Sequence, residues 1–198
     1  MGDGNIYDRR PFYVEYTGNP ISDRNYFETI LLPIVRKETG KNPKLFVRDY
    51  GLRFRIFSKS FVDWLKLIGI PTGEAKGTAR APELIVSDRR LMTSCVRGVH
   101  DTDGGVYFDL RPAYVSPYPR IELHMKNVDL VDQISGFYTD IGIAHCLVKS
   151  KNSIETSGVD ALRTYLRRVG FSSVHHINRI SRHYPELARE NCRPTSLL

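Results

Sequence analysis

Leu91, Met92, Cys95, Val96 and Val99 fall at i, i+1, i+4, i+5 and i+8, which places them on one face of a helix, and Gly104-Gly105 supplies the expected stop. Asp103 then sits at the C-terminal end of that helix. The helix dipole puts partial negative charge there, so a carboxylate costs about 0.3 to 1 kcal/mol. Asp101 adds to the problem, and a cation is expected nearby. A lone Asp-Gly is ordinarily a solvated turn, but here it recurs. Gly2-Asp3-Gly4-Asn5-Ile6-Tyr7 aligns with Thr102-Asp103-Gly104-Gly105-Val106-Tyr107 at an offset of 100 residues. Two equivalent helix-end acids in a pseudo-twofold arrangement can converge on one place, each coordinating a divalent metal, with the pair acting on two strands.

The elements that must position these acids also recur. Phe61, Leu65, Ile68, Gly69 and Ile70 align with Leu162, Leu166, Val169, Gly170 and Phe171 at an offset of 101, in the same order along the chain. In the first copy the residues predict an alternating segment over Tyr7 to Thr17 with Arg9-Arg10-Pro11 at its turn. A helix follows from Ser22 or Asp23 to Lys37, ended by Gly40. Strands Leu45 to Arg48 and Leu52 to Phe57 are joined by Asp49-Tyr50-Gly51, and a helix runs from Lys59 to Ile68. The second copy predicts strands Val106 to Leu110 and Arg120 to Met125, then a helix from Val128 to Tyr138. Strands Cys146 to Lys149 and Ser153 to Thr156 come next, with helices Val159 to Val169 and Val174 to His183 closing the chain. Pro71 to Pro82, rich in Gly, Ala and Thr, reads as a linker. The predicted units are therefore 1–82 and 83–198.

Alternation within the strands separates a core face from a polar face. Leu52, Phe54 and Ile56 point inward while Arg53 and Arg55 point outward, with Arg48 joining them from the neighbouring strand. In the second copy Ile121, Leu123 and Met125 oppose Arg120, Glu122, His124 and Lys126, and Lys149 and Lys151 extend the charge. Tyr13, Glu15 and Thr17 share the first surface; Tyr107 and Asp109 share the second. A basic ribbon of this kind fits a DNA major groove, where Arg pairs with guanine edges and Lys holds phosphates.

The net charge of +7 is spread over both halves, with 14 Lys+Arg against 10 Asp+Glu in residues 1–87 and 15 against 12 in residues 88–198. A distributed excess suits a long polyanion, because phosphate contacts along a track release counterions. Cys95, Cys146 and Cys192 are too scattered for a disulfide framework or a zinc pair, and no small-molecule cofactor motif is present. The longest apolar runs fall far short of the roughly 20 residues that cross a bilayer, and no leader pattern follows Met1. These features predict a cytoplasmic protein with no membrane association.

The run Val96-Arg97-Gly98-Val99-His100-Asp101-Thr102-Asp103-Gly104 resembles the LAGLIDADG motif of homing endonucleases, and Gly2-Asp3-Gly4-Asn5-Ile6-Tyr7 resembles the tail of a first such motif. The segment from Ser58 to Val86, with Gly73-x-x-Lys76 and Ala81-Pro82-Glu83, is similar to that family's connection between repeats. The resemblance implies an α/β (α+β) fold of two pseudo-symmetric αββαββα repeats forming a saddle of curved antiparallel sheets. It implies a monomer that binds double-stranded DNA and cleaves it site-specifically with Mg²⁺. Asp3 and Asp103, with Gly2 and Thr102 beside them, become the metal site, and Lys76 assists near the scissile phosphate. His175 or His176 stands where the second repeat would carry its counterpart. Only Met1 and Gly2 precede Asp3, so the resemblance implies a first repeat without its opening helix. The face of Leu91, Cys95 and Val99 would then be left uncovered. The same fold also serves DNA-binding proteins that do not cut and maturases acting on RNA, and a truncated intron- or intein-encoded remnant is a further alternative.

Overall fold

A computed structural model describes residues 4–73 and 79–191 of the chain. Two four-stranded antiparallel sheets dominate it. The first has β1 (Gly4–Tyr7), β2 (Tyr13–Gly18), β3 (Phe46–Arg48) and β4 (Gly51–Phe57) in the order β1-β2-β4-β3. The second repeats that order as β5-β6-β8-β7, with β5 (Gly104–Asp109), β6 (Tyr118–His124), β7 (Cys146–Val148) and β8 (Ser153–Ser157). This is an α+β fold of two like units, as the duplication predicts.

Helices join the strands in matching places. In the first unit α1 (Arg24–Tyr26), a π-helical stretch (Phe27–Leu31) and α2 (Leu32–Thr39) run on without a break, and Gly40 ends them at a φ of 65°. The sequence pattern predicts this helix but not its π-helical turn. Next comes α3 (Lys59–Leu67), where the Ser58 hydroxyl accepts from the Phe61 amide as a cap. Between the units lies the short α4 (Glu83–Val86). The second unit opens with α5 (Arg89–Thr102), capped by Asp88, whose carboxylate accepts from the amides of Arg90 and Leu91. It continues with α6 (Val128–Asp140), α7 (Val159–Arg168), α8 (Val174–Ser181) and α9 (Pro185–Arg189). Among the described residues no helix is long and apolar enough to cross a membrane.

The alternation within strands sorts the side chains as expected. Leu52, Phe54 and Ile56 pack with Tyr26, Phe27, Leu32 and Val35 in one core. A larger core is built on Met92, Val96 and Val99 of α5 together with Ile121, Leu123 and Ile154 of the second sheet. Besides α5, this core takes Leu130, Ile134 and Tyr138 of α6, Leu162, Tyr165 and Leu166 of α7, and Ile180 and Leu187 of the last two helices, which is why it is the larger. The face expected to lie bare is only partly so: Leu91 is exposed and Cys95 half-buried, but Val99 is buried in its own core. Spacing alone places all three on one side. The sheet beneath the helix takes Val99.

Two further expectations gain detail. The stop expected at Gly104-Gly105 holds, since α5 ends at Thr102, and the two glycines open β5. A Cβ on Gly104 would stand 2.6 Å from His100 Nδ1 and 3.0 Å from His100 Cα, so the glycine serves close approach of strand to helix. The far end of the predicted linker is not loose. Gln133 of α6 accepts from the Ala81 amide at 2.8 Å and donates to its carbonyl at 3.1 Å, Asn127 donates to the Ala79 carbonyl, and Ala81 joins the second core.

Candidate active site and nucleic-acid interface

Strand register fixes which residues of the two units correspond. Gly4 pairs with Tyr16, Ile6 with Val14, and Val14 with Ile56; Gly104 pairs with Leu123, Val106 with Ile121, and Ile121 with Thr156. Gly4 and Gly104 are therefore counterparts at the opening of equivalent strands. The residues immediately before them are Asp3 and Asp103. Gly2, Asp3 and Lys76 lie outside the described residues.

Asp103 is the C-terminal cap of α5, half-buried, with its amide donating to the Val99 carbonyl at 2.8 Å. It opens onto a hollow of about 200 Å³ lined also by Gly104, Tyr107, Glu122, His124 and Arg179. The strand pleat brings Glu122 and His124 to the same face of β6, and Arg179 reaches in from α8, where its Nη1 donates to the Val106 carbonyl at 3.0 Å. The cation in this hollow is thus Arg179, one helical turn beyond the His175-His176 pair of the sequence reading. His176 itself is buried, and burial lowers its imidazole pKa to about 4. Thr102 turns its hydroxyl back onto its own helix, to the carbonyls of Gly98 and Val99 at 3.1 and 3.3 Å.

Asp101 does not need a neighbouring cation to satisfy it. Its carboxylate accepts from the backbone amides of Ser172 and Ser173 at 3.0 to 3.1 Å, at the entry to α8. Burial pushes its pKa up to about 6, against the pull of those amides and of Arg97. His100 is fully buried and its Nε2 lies 2.7 Å from the Tyr138 hydroxyl; burial lowers its pKa to about 3, so the ring is neutral. These groups lock the end of α5 and the start of α8 together, and so hold Asp103 and Arg179 on opposite sides of one hollow.

On the outer face of the first sheet Arg55 Nε donates to Glu15 Oε2 at 2.5 Å and Arg53 lies 3.5 Å from Glu15 Oε1, while Arg48 lies 3.5 Å from Asp49. The Arg55 guanidinium also stands over the rings of Tyr13 and Phe46, at 5.0 and 5.4 Å. On the second sheet Arg120 pairs with Glu155 and lies 3.7 Å from Asp109. The sequence pattern finds these arginines but not their partners, because Glu15 and Arg55 are 40 residues apart. Glu122 and Glu155 stand directly opposite each other across β6 and β8, an unfavourable placement for like charges; Arg120 takes Glu155, and Glu122 faces the hollow. Lys126 is exposed beyond the end of β6, and Lys149 and Lys151 project from the turn between β7 and β8. The sequence places Glu122 and Tyr107 on the outer face but not beside Asp103, and it does not single out Arg179 at all. Alternation along β6 already put Glu122 beside His124, whereas nothing local pointed to Arg179.

No family model matches the sequence, and no curated protein matches it. Solved structures do. Mesophilic variants from the homing endonuclease I-DmoI are similar at a TM-score of 0.56 and 14% identity, covering 85% of this chain and 83% of theirs. The homing endonuclease I-WcaI bound to its DNA recognition sequence is similar at a TM-score of 0.55 and 14% identity, over 85% of this chain and 75% of that one. The LAGLIDADG meganuclease I-AabMI bound to uncleaved DNA matches at a TM-score of 0.55 and 10% identity, over 97% of this chain and 90% of that one. With paired sheets of identical strand order and an acid closing the helix that feeds the second, this chain has the LAGLIDADG homing-endonuclease fold.

Proposed function

We propose that the chain is a site-specific double-stranded DNA endonuclease of the homing type, a monomer in which residues 1–82 and 83–198 each read half of the target. The observation that carries this reading is the register equivalence of Gly4 and Gly104, each directly preceded in sequence by an aspartate, Asp3 and Asp103. The I-DmoI structures with DNA and Mn and with DNA and Ca support it.

The donor set suits a divalent cation, Mg²⁺ in this reading. Asp103 offers hard carboxylate oxygens beside a hollow with room for phosphate and water, and Mg²⁺ is commonly held by one or two carboxylates with the remaining positions left to such ligands. Asp3 and Asp103 would hold it, with the backbone of Gly2 and Thr102 alongside. Bound there, the ion would polarise the scissile phosphate and acidify a water. In this reading Lys76 and Arg179 would supply positive charge to the phosphate undergoing attack. Arg48, Arg53, Arg55, Arg120 and His124 face the bases, the first four held in position by their carboxylate partners. Lys126, Lys149 and Lys151 take phosphates.

The test is a library of randomised duplexes incubated with the full chain, first with Ca²⁺ to recover bound sequences and then with Mg²⁺ to score cleavage. Double-strand cleavage is expected, with Asp103→Asn binding at wild-type affinity but cutting at least a hundredfold more slowly. Binding without Mg²⁺-dependent cleavage would reassign the chain as a reader of DNA that does not cut.

A further inference from the structure

Tyr7 on β1, Tyr13 on β2 and Phe57 on β4 are directly opposite one another in register and form a single row across three strands. Their rings touch in sequence, with centroids 4.1 Å apart for Tyr7 and Tyr13 and 5.4 Å for Tyr13 and Phe57. The row lies on the outer face, since Val14 and Ile56 beside it point into the core, and Tyr7 and Phe57 are 41% and 55% exposed. The register-equivalent row of the second sheet is Tyr107, Arg120 and Ser157, which is polar. An aromatic row of this size is not needed by the core, and its counterpart shows that the fold does without one.

We infer that this row is a specificity element that recognises thymine in one half of a duplex target, through the 5-methyl groups that line the major groove. The inference rests on the proposed DNA-binding function and adds which bases one half-site must carry. Two interstrand spacings make the row about 10 Å wide, and the major groove is about 12 Å wide. Arg9 and Arg10, both exposed in the turn just beyond Tyr7, place positive charge at the edge of the row, where the phosphates of a seated duplex would lie. Stacking within the row favours duplex over unpaired bases. Tyr7 and Tyr13 are nearly parallel, at 21°, so they cover each other's faces and present ring edges and rims outward. Ring rims give apolar contact to a methyl group, and Tyr13, stacked by Tyr7 and overlain by the Arg55 guanidinium, offers little face to an unpaired base.

The experiment selects randomised duplexes on the full chain with Ca²⁺ present, then replaces dT by dU in the recovered sites, which deletes only the methyl groups. Thymine enrichment is expected in one half-site alone. Each deleted methyl there should weaken wild-type binding about fourfold, as expected for one buried methyl(ene) group. Tyr7→Ala and Phe57→Ser, the latter copying the residue of the second repeat, should bind the dT and dU duplexes equally. Both positions are exposed, so folding is not at stake, and far-UV circular dichroism confirms it. Recovered duplexes without a one-sided thymine bias would overturn the inference while leaving DNA binding intact. So would a methyl effect that persists in both variants, or tighter binding to single strands than to duplex. Recovery of no duplex at all would remove the proposed function and this inference together.

Discussion

Acidification should unfold this protein well before its carboxylates are exhausted, because two buried imidazoles cannot accept protons where they sit. Burial holds His100 at about 3 and His176 at about 4, against an ordinary value of 6.5. The unfolded chain takes up protons on both rings below pH 6.5 while the folded chain takes up neither. Their contribution is complete above that pH and drains away as pH falls toward the folded-state values. At pH 5 each ring costs about 2 kcal/mol, so the pair removes roughly 4 kcal/mol. Asp101 works in the opposite sense. Its folded pKa of about 6 lies above the ordinary 3.8, so the native state gains a proton first as pH falls, which returns about 1.4 kcal/mol between pH 7 and pH 5. The imidazoles win, and a net loss of roughly 2.5 kcal/mol is a large part of the 5 to 15 kcal/mol typical of a folded domain.

His176→Gln isolates one ring. Nδ1 of His176 has no hydrogen-bond partner among the described residues, and the ring's remaining hydrogen bond is to the Asp101 backbone, which a glutamine amide can replace. Urea denaturation at pH 7, 6 and 5, at constant ionic strength, measures wild type and variant side by side. The variant is expected to be the less stable at pH 7, with the gap closing by about 2 kcal/mol at pH 5, a shift of about 1 M in urea midpoint. NMR titration of the His176 ring should show no protonation above pH 5. A gap that stays constant across the range, or a ring that titrates near 6.5, would refute the burial argument.

Gly104→Ala places a methyl group 2.6 Å from His100 Nδ1 and 3.0 Å from the backbone of α5, which cannot swing aside; a loss of about 1 to 3 kcal/mol is expected in thermal or urea melts, and a change below about 0.5 kcal/mol would contradict the close approach. Asp101→Ala strands the amides of Ser172 and Ser173 at the entry to α8, with an expected cost of about 1 to 3 kcal/mol and faster hydrogen exchange at those two amides. Asp101→Asn keeps an acceptor oxygen and should recover most of that loss.

The duplication was legible because it is written locally. Asp-Gly followed by Ile-Tyr or Val-Tyr, and the apolar spacing of Phe61 to Ile70 and Leu162 to Phe171, mark equivalent elements without any tertiary information. Period-two alternation likewise found the outer arginines. The parts that escaped depend on residues far apart in sequence. Asp101 finds its amides 71 and 72 residues away, Arg55 meets Glu15 across 40, and Ala81 is fixed by Gln133 across 52. Gly104 marked the end of α5 correctly but not the use of its missing Cβ. A glycine after a helix usually ends it in a left-handed turn, and sequence does not distinguish that use from one in which the missing Cβ admits the helix backbone.

The two outer faces carry different chemistry on the same backbone frame, and that difference bears on what the protein can read. Register equates Glu15 with Glu122, Tyr13 with Arg120, Arg55 with Glu155 and Phe57 with Ser157. Only the first of these pairs keeps its residue type. In the first sheet Glu15 opposes Arg55 and the two form a tight ion pair; in the second the same two places hold two glutamates, one neutralised by Arg120 and the other left toward the hollow beside Asp103. A palindromic target would present identical edges to both sheets, and these side chains cannot make identical contacts. Under the proposed function the target must therefore be asymmetric in its outer bases, with symmetry confined to the place where Asp3 and Asp103 are equivalent. The glutamate beside Asp103 lies too near that centre to be a base reader alone: Glu122→Gln should alter the divalent-ion dependence of cleavage, whereas Glu15→Gln should alter only half-site affinity. Identical responses from the two variants would mean that the sheets are equivalent in function despite their chemistry.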